Sequence, residues 1–236
     1  MSLLDRLRPG RESIPIRPVR SGTPVFEPPK PASVSGEVRA SHALKDFLWL
    51  LEGIGHGSLL DLGQVWQSTV GFFVERGFRV YSEDVLRAWK GFLETEEERQ
   101  RATAPAEDPS ELNPAARAAR FLDQNLRFAE DTFDAVLCWD LLEYLDPEAV
   151  SQVVERMAGL LKDGGVVLAL FHSRKPEAFH RYRIADHQNI ELVRAPLLVP
   201  SQRTFQNREM LNLFSRFQSS KTYVGRDQIR EALFVR

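Results

Sequence analysis

One cysteine, Cys138, stands in a chain of 236 residues. That excludes an internal disulfide framework and any cysteine-rich metal site. Long apolar runs are missing too: none is long enough to span a bilayer, and the N-terminus has no apolar signal region. A cytoplasmic protein without a membrane partner is therefore expected. Asp134, Asp140, Glu143 and Asp146 form an acidic run, but no spaced histidine pair accompanies it, so no metal site is expected. No nucleophile-elbow pattern of the Ser-His-Asp type is present either.

Charge is nearly balanced overall, at −2, but unevenly spread. Residues 1–40 carry seven basic and four acidic side chains, residues 41–171 twelve and twenty-three, and residues 172–236 twelve and six. A basic last quarter suits an acidic partner. Its arginines alternate with apolar residues instead of clustering, which favours a solvated face over a nucleic-acid surface.

Proline is unevenly spread as well. Residues 1–40 hold seven of the fourteen prolines and almost no apolar period. Pro28-Pro29-Lys30-Pro31 excludes helix and interrupts a sheet ladder. A disordered, proline-rich arm over 1–40 is expected, followed by one domain over 41–236.

Within that domain Ser41 caps a helix with Leu44, Phe47, Leu48 and Leu51 on one face. Ser58–Leu62, Ser68–Arg76 and Phe78–Tyr81 then read as strand, helix and strand, with Gly77 ending the helix. Such a unit places its first turn and the acidic end of its second strand at one rim of a parallel sheet, where nucleotides bind. Asp84–Arg101 begins as an amphipathic helix, and Asn113-Pro114 starts another. Ala135–Trp139 is an apolar run suited to a strand buried on both faces. Pro147 opens a helix with Val150, Val153, Val154 and Met157 inward, and Asp163-Gly164-Gly165 turns into a strand over Val166–Phe171. Phe179–Val193 shows no clear period. Asn207–Phe217 reads as helix, and Lys221–Val224 with Ala232–Val235 as an antiparallel hairpin.

Leu59-Leu60-Asp61-Leu62-Gly63, Val80–Asp84, Phe133–Leu145 and Leu160–Leu168 stand in the order and spacing of class I S-adenosylmethionine-dependent methyltransferases, of the type 11 kind. The chain resembles that family from about Ala43 to Phe171. The resemblance implies a Rossmann-like, doubly wound, mostly parallel seven-stranded sheet closed by a C-terminal antiparallel hairpin. It places the end of the third strand at Phe121-Leu122-Asp123. It also implies a cofactor site. Asp61 and Gly63 would meet the amino-acid part, with Gln64 and Val65 in the adjoining turn. Asp84 would take the ribose hydroxyls, Asp123 the adenine, and Trp139 and Asp140 the surroundings of the sulfonium. Asp84 also stands where a helix cap belongs.

The glycine-rich turn departs from the family pattern. It reads Gly63-Gln64-Val65-Trp66-Gln67, so two of three glycines are replaced where backbone and ligand approach closely. Cofactor binding is expected to be weakened or lost. Either Trp66 packs inward and fills the cofactor's place, or it points outward and the site stays open. The function implied is methyl transfer from S-adenosylmethionine to an unidentified small-molecule or protein acceptor. The alternative is an inactive methyltransferase-like binding or regulatory module. His172, Arg174, His180 and Tyr182 follow strand five, near the place of an acceptor; a histidine there can serve as a base.

Overall fold

The computed structural model describes residues 36–102, 113–225 and 227–236. The residues that the sequence assigns to the arm lie outside these except for the last few, and of those Glu37–Ala40 form strand β1. Ser41 caps helix α1 (His42–Leu50), its hydroxyl accepting the Leu44 N–H at 3.0 Å. Next come β2 (Ser58–Asp61), α2 (Gln67–Val74), β3 (Arg79–Ser82), α3 (Val85–Ala102), α4 (Pro114–Gln124) and β4 (Phe133–Trp139). A 3-10 turn (Leu141–Tyr144) leads to α5 (Pro147–Leu160) and β5 (Leu161–His172). The chain closes with β6 (His180–Ile184), β7 (Asn189–Arg194), α6 (Asn207–Leu213), β8 (Ser219–Val224) and β9 (Ile229–Val235).

Six of these strands form one sheet in the order β3-β2-β4-β5-β9-β8. The first four are parallel, and β9 and β8 add the antiparallel hairpin. Side chains along a strand alternate between faces, and both faces of this sheet are covered. Leu59, Ala135, Leu137, Val166 and Leu168 enter one core with Phe47 of α1 and Phe73 of α2. Their neighbours Leu60, Val136, Cys138, Val167 and Ala169 enter the other, with Trp89 of α3, Phe121 of α4 and Met157 of α5. That two-sided burial explains the unbroken apolar runs of β4 and β5.

The expected third strand is absent among the described residues, which makes the sheet six-stranded. Phe121, Leu122 and Asp123 lie inside α4. The segment Pro-Ala-Ala-Arg-Ala-Ala-Arg favours helix, and Asn113 caps it by accepting the Ala115 N–H at 2.9 Å. Phe121 then packs edge-on against Trp89 at 5.0 Å. The backbone beyond α4 finds side-chain partners instead of a ladder. The Leu126 N–H donates to Glu83 at 2.9 Å, and Arg156 donates to the Leu126 and Phe128 carbonyls at 2.8 Å. β3 is consequently an edge strand, and Val80 is only half-buried.

The stretch without clear period holds most of a second sheet, in the antiparallel order β1-β7-β6. Tyr182, Ile184, Ile190 and Leu192 of this sheet join the core that contains α1 and α2. Buried Glu231 of β9 fixes the entry to the domain. It accepts from Arg39 at 2.6 Å, from the Ser41 hydroxyl at 3.1 Å and from the Ala43 N–H at 2.7 Å. A carboxylate at a helix start also complements the helix dipole.

Candidate cofactor site

The carboxyl ends of β2, β3, β4 and β5 meet at one rim, and β6 crosses it. Asp61, at the end of β2, is 2% exposed. Its Oδ1 accepts two bonds, from the Gly63 N–H at 2.9 Å and from the Trp139 indole Nε1 at 2.7 Å. Trp139 ends β4 at a register shift and has a left-handed φ of 52°, a backbone state that large side chains rarely adopt. That turn carries the indole over Gly63: a Cβ on Gly63 would stand 2.7 Å from Trp139 Cδ1.

Asp84 follows β3. It caps α3, accepting the Arg87 N–H at 3.1 Å. Both its oxygens also receive the Arg181 guanidinium, at 3.0 and 2.9 Å. Tyr182, the next residue of β6, stacks on Trp139 with ring centroids 5.7 Å apart and planes 10° apart. Its hydroxyl donates to Asp140 Oδ2 at 3.0 Å.

Behind this layer lies a buried acid–imidazole pair. Glu143 accepts the His172 backbone N–H at 2.7 Å and stands 2.6 Å from His172 Nδ1. Asp140 lies 4.0 Å from the same nitrogen. Burial opposes charge on the His172 ring, but the bond to Glu143 and the two nearby carboxylates outweigh it and raise the pKa. Burial pushes Asp61 up to about 6 and Asp140 up to about 6. In Asp61 the Trp139 and Gly63 bonds offset part of that rise; in Asp140 the His172 charge does.

Of the residues singled out from sequence, Asp61, Gly63, Asp84, Trp139 and Asp140 come together here, and Gln64 lines the same cavity. Val65 belongs to the turn but is 60% exposed. Asp123 is not part of the cluster, since it is exposed on α4. Trp66 takes neither expected position cleanly. It is half-buried, with the Arg183 guanidinium 5.0 Å above its ring, and it does not line the cavity. Tyr182, expected near the acceptor, is instead stacked on Trp139 within the cofactor cavity, and the residue that sequence reasoning missed is Arg181. Its signal was the short His-Arg-Tyr-Arg-Ile alternation of β6.

Sheet order and rim define a Rossmann-like α/β protein whose mostly parallel sheet is closed by an antiparallel hairpin. Residues 79–169 match the family model described as a methyltransferase domain. Through this stretch, β3 to β5, the chain is similar to class I S-adenosylmethionine-dependent methyltransferases. A comparison with curated proteins finds no match. Among solved structures, the chain is similar to the 1,6-didemethyltoxoflavin-N1-methyltransferase of Burkholderia thailandensis, solved with 1,6-didemethyltoxoflavin and S-adenosylhomocysteine. Identity there is 17%, over 83% of this chain and 78% of that one, with a TM-score of 0.41. It is also similar to an S-adenosylmethionine-dependent methyltransferase of Mesorhizobium loti, at 15% identity over 81% and 96% of the two chains and a TM-score of 0.42.

S-adenosylmethionine is the cofactor this family match implies. The residue types at the rim suit it, but the room does not. The cavity lined by Gly63, Gln64, Trp139, Asp140, Arg181 and Tyr182 measures about 20 Å³, space for about one water. Pockets for ligands of this size run to hundreds of cubic ångströms. In the conformation described, the cofactor does not fit. Among the described residues no helix is long and apolar enough to cross a membrane, and no group of His, Cys, Asp and Glu is arranged to hold a metal ion.

Proposed function

We propose that the chain is an S-adenosylmethionine-dependent methyltransferase acting on an unidentified acceptor, seen here in a closed form. The observation that carries this reading is the convergence of Asp61, Gly63, Asp84 and Asp140 on one rim, at the ends of adjacent parallel strands. The cofactor, when bound, supplies a methyl group already activated by its sulfonium. The protein's share is then to hold the reactants and exclude water. Asp84 offers a carboxylate to a diol, Gly63 permits close backbone approach, and Asp61 fixes the turn through the Gly63 N–H.

One observation favours the second reading, an inactive binding or regulatory module. Val65 and Gln67 replace the glycines of the turn, and the chain's own side chains fill the site. A nucleic-acid role has less support. Six of the twelve basic side chains of the last quarter stand in ion pairs: Arg181 with Asp84, Arg183 with Glu191, Arg203 with Glu209, Arg216 with Glu155, Lys221 with Asp46 and Arg236 with Asp131.

Ultraviolet crosslinking with methyl-labelled S-adenosylmethionine tests the leading reading. Saturable labelling is expected, competed by S-adenosylhomocysteine and lost in Asp84→Ala. No labelling at millimolar cofactor, either in the natural chain or after the β6 contacts are cut, would leave the inactive module as the surviving reading.

A further inference from the structure

We propose that β6 is an internal occupant of the cofactor site, an autoinhibitory strand whose Arg181 and Tyr182 must leave before S-adenosylmethionine or its demethylated product can enter. This inference rests on the methyltransferase reading above and concerns the regulation of the same site. Each polar anchor of the rim already has a partner from the chain itself. Asp84 holds the two-pronged guanidinium of Arg181, Asp140 holds the Tyr182 hydroxyl, and Asp61 holds the indole N–H of Trp139. The stacked Trp139 and Tyr182 rings occupy the apolar space between these anchors. Arg181 is 7% exposed, so its charge depends on Asp84, and a guanidinium–carboxylate pair with two parallel bonds is the strong form of that contact. A ribose diol is likewise a two-donor group, so it and the guanidinium compete for one carboxylate.

Vacating the site requires β6 to move as a unit. β6 is an edge strand of the small sheet, bonded to β7 on one side only. It is tied to α2 by the Ile184 N–H, which donates to Thr69 Oγ1 at 3.0 Å. On either side of the β6–β7 hairpin the chain is irregular. An equilibrium between closed and open hairpin weakens apparent cofactor affinity in proportion to the open fraction; one open molecule in a hundred means about a hundredfold.

Calorimetric titration with S-adenosylhomocysteine tests this on the full chain, on Arg181→Ala/Tyr182→Ala, and on Arg183→Ala as a same-strand control. Thermal melts establish that each is folded. The expected result is binding at least tenfold tighter in the double variant than in the natural chain, with Arg183→Ala unchanged. If the double variant fails to fold, Arg181→Gln keeps the side-chain length without the charge, and tighter binding is expected there too. Equal affinity in the natural chain and the opened variants would overturn the inhibitory role while leaving the methyltransferase reading in place. No binding to any folded variant would overturn both, because a vacated site would still refuse the cofactor.

Discussion

Arg181 and Asp84, 97 residues apart in sequence, meet through two parallel hydrogen bonds of 3.0 and 2.9 Å. Their side chains are 9% and 18% exposed. A pair this buried is costly to break from one side, because the remaining charge stays in low dielectric without a partner. Arg181→Met and Asp84→Asn are each expected to lower unfolding stability by about 3 kcal/mol. Asparagine retains the cap on α3, which isolates the loss of charge. The double variant should cost clearly less than the two single costs combined. Strict additivity in denaturant unfolding would show that the pair contributes nothing as a pair.

Two glycines give opposite predictions. At Gly63 an added Cβ would stand 2.7 and 2.8 Å from Trp139 Cδ1 and Nε1, so Gly63→Ala must displace the indole from Asp61 and Tyr182. A loss of about 1–3 kcal/mol is expected, with a change in tryptophan fluorescence. Gly71, inside α2, has nothing within 4 Å of its notional Cβ. There alanine removes backbone freedom from the unfolded chain and should stabilise by about 0.5–1 kcal/mol. A stabilising Gly63→Ala would mean that the indole does not lie where we describe it.

Much of this arrangement was legible in sequence because burial on two faces leaves a simple pattern. Leu59-Leu60, Val136-Leu137 and Val166-Val167 had to be central strands, since both alternating faces are apolar, and each is fully buried. Pro147 and Ser41 marked helix starts through local chemistry. The family resemblance places the end of a third strand at Phe121-Leu122-Asp123, whereas the alanine-rich residues 114–120 favour helix and carry these three into α4. The closed rim was not legible for a different reason. Arg181 and Tyr182 reach it through tertiary contacts 97 and 42 residues distant from their partners, and no local period records such a contact. The replaced glycines of the turn point to Trp66 as the plug, whereas the indole over Gly63 belongs to Trp139.

Asp123 supplies a direct check on that correction. It is exposed on α4, so Asp123→Ala should change stability by no more than about 0.5 kcal/mol. S-adenosylhomocysteine affinity of the Arg181→Ala/Tyr182→Ala protein should be unaffected by it. A large loss of affinity on adding Asp123→Ala would return this residue to the site.

The buried acids set a pH dependence whose sign follows from linkage. Asp61 and Asp140 each rise from 3.8 to about 6, chiefly through burial. The folded protein therefore holds more protons than the unfolded chain between those values, and stability falls as pH rises through this window. For Asp61 alone the rise corresponds to on the order of 3 kcal/mol. His172 acts in the same direction. Its pKa is raised above 6.5, so its stabilising contribution is complete below 6.5 and is lost as pH rises through the higher folded value. Asp46, Asp186 and Glu191 are lowered. Their contributions are lost only as pH falls through the ordinary carboxylate range, below pH 5. His180 is lowered too, chiefly by burial, so it opposes Asp61, Asp140 and His172 between pH 5 and 8, one group against three. The melting temperature should accordingly be higher at pH 5 than at pH 8. Asp61→Asn should flatten the acidic part of the profile, because both bonds to Asp61 fall on Oδ1 and an amide oxygen can accept both. His172→Gln should flatten the part near neutrality. A melting temperature that climbs from pH 5 to pH 8 would contradict the assignment of these three groups as buried partners at the closed rim.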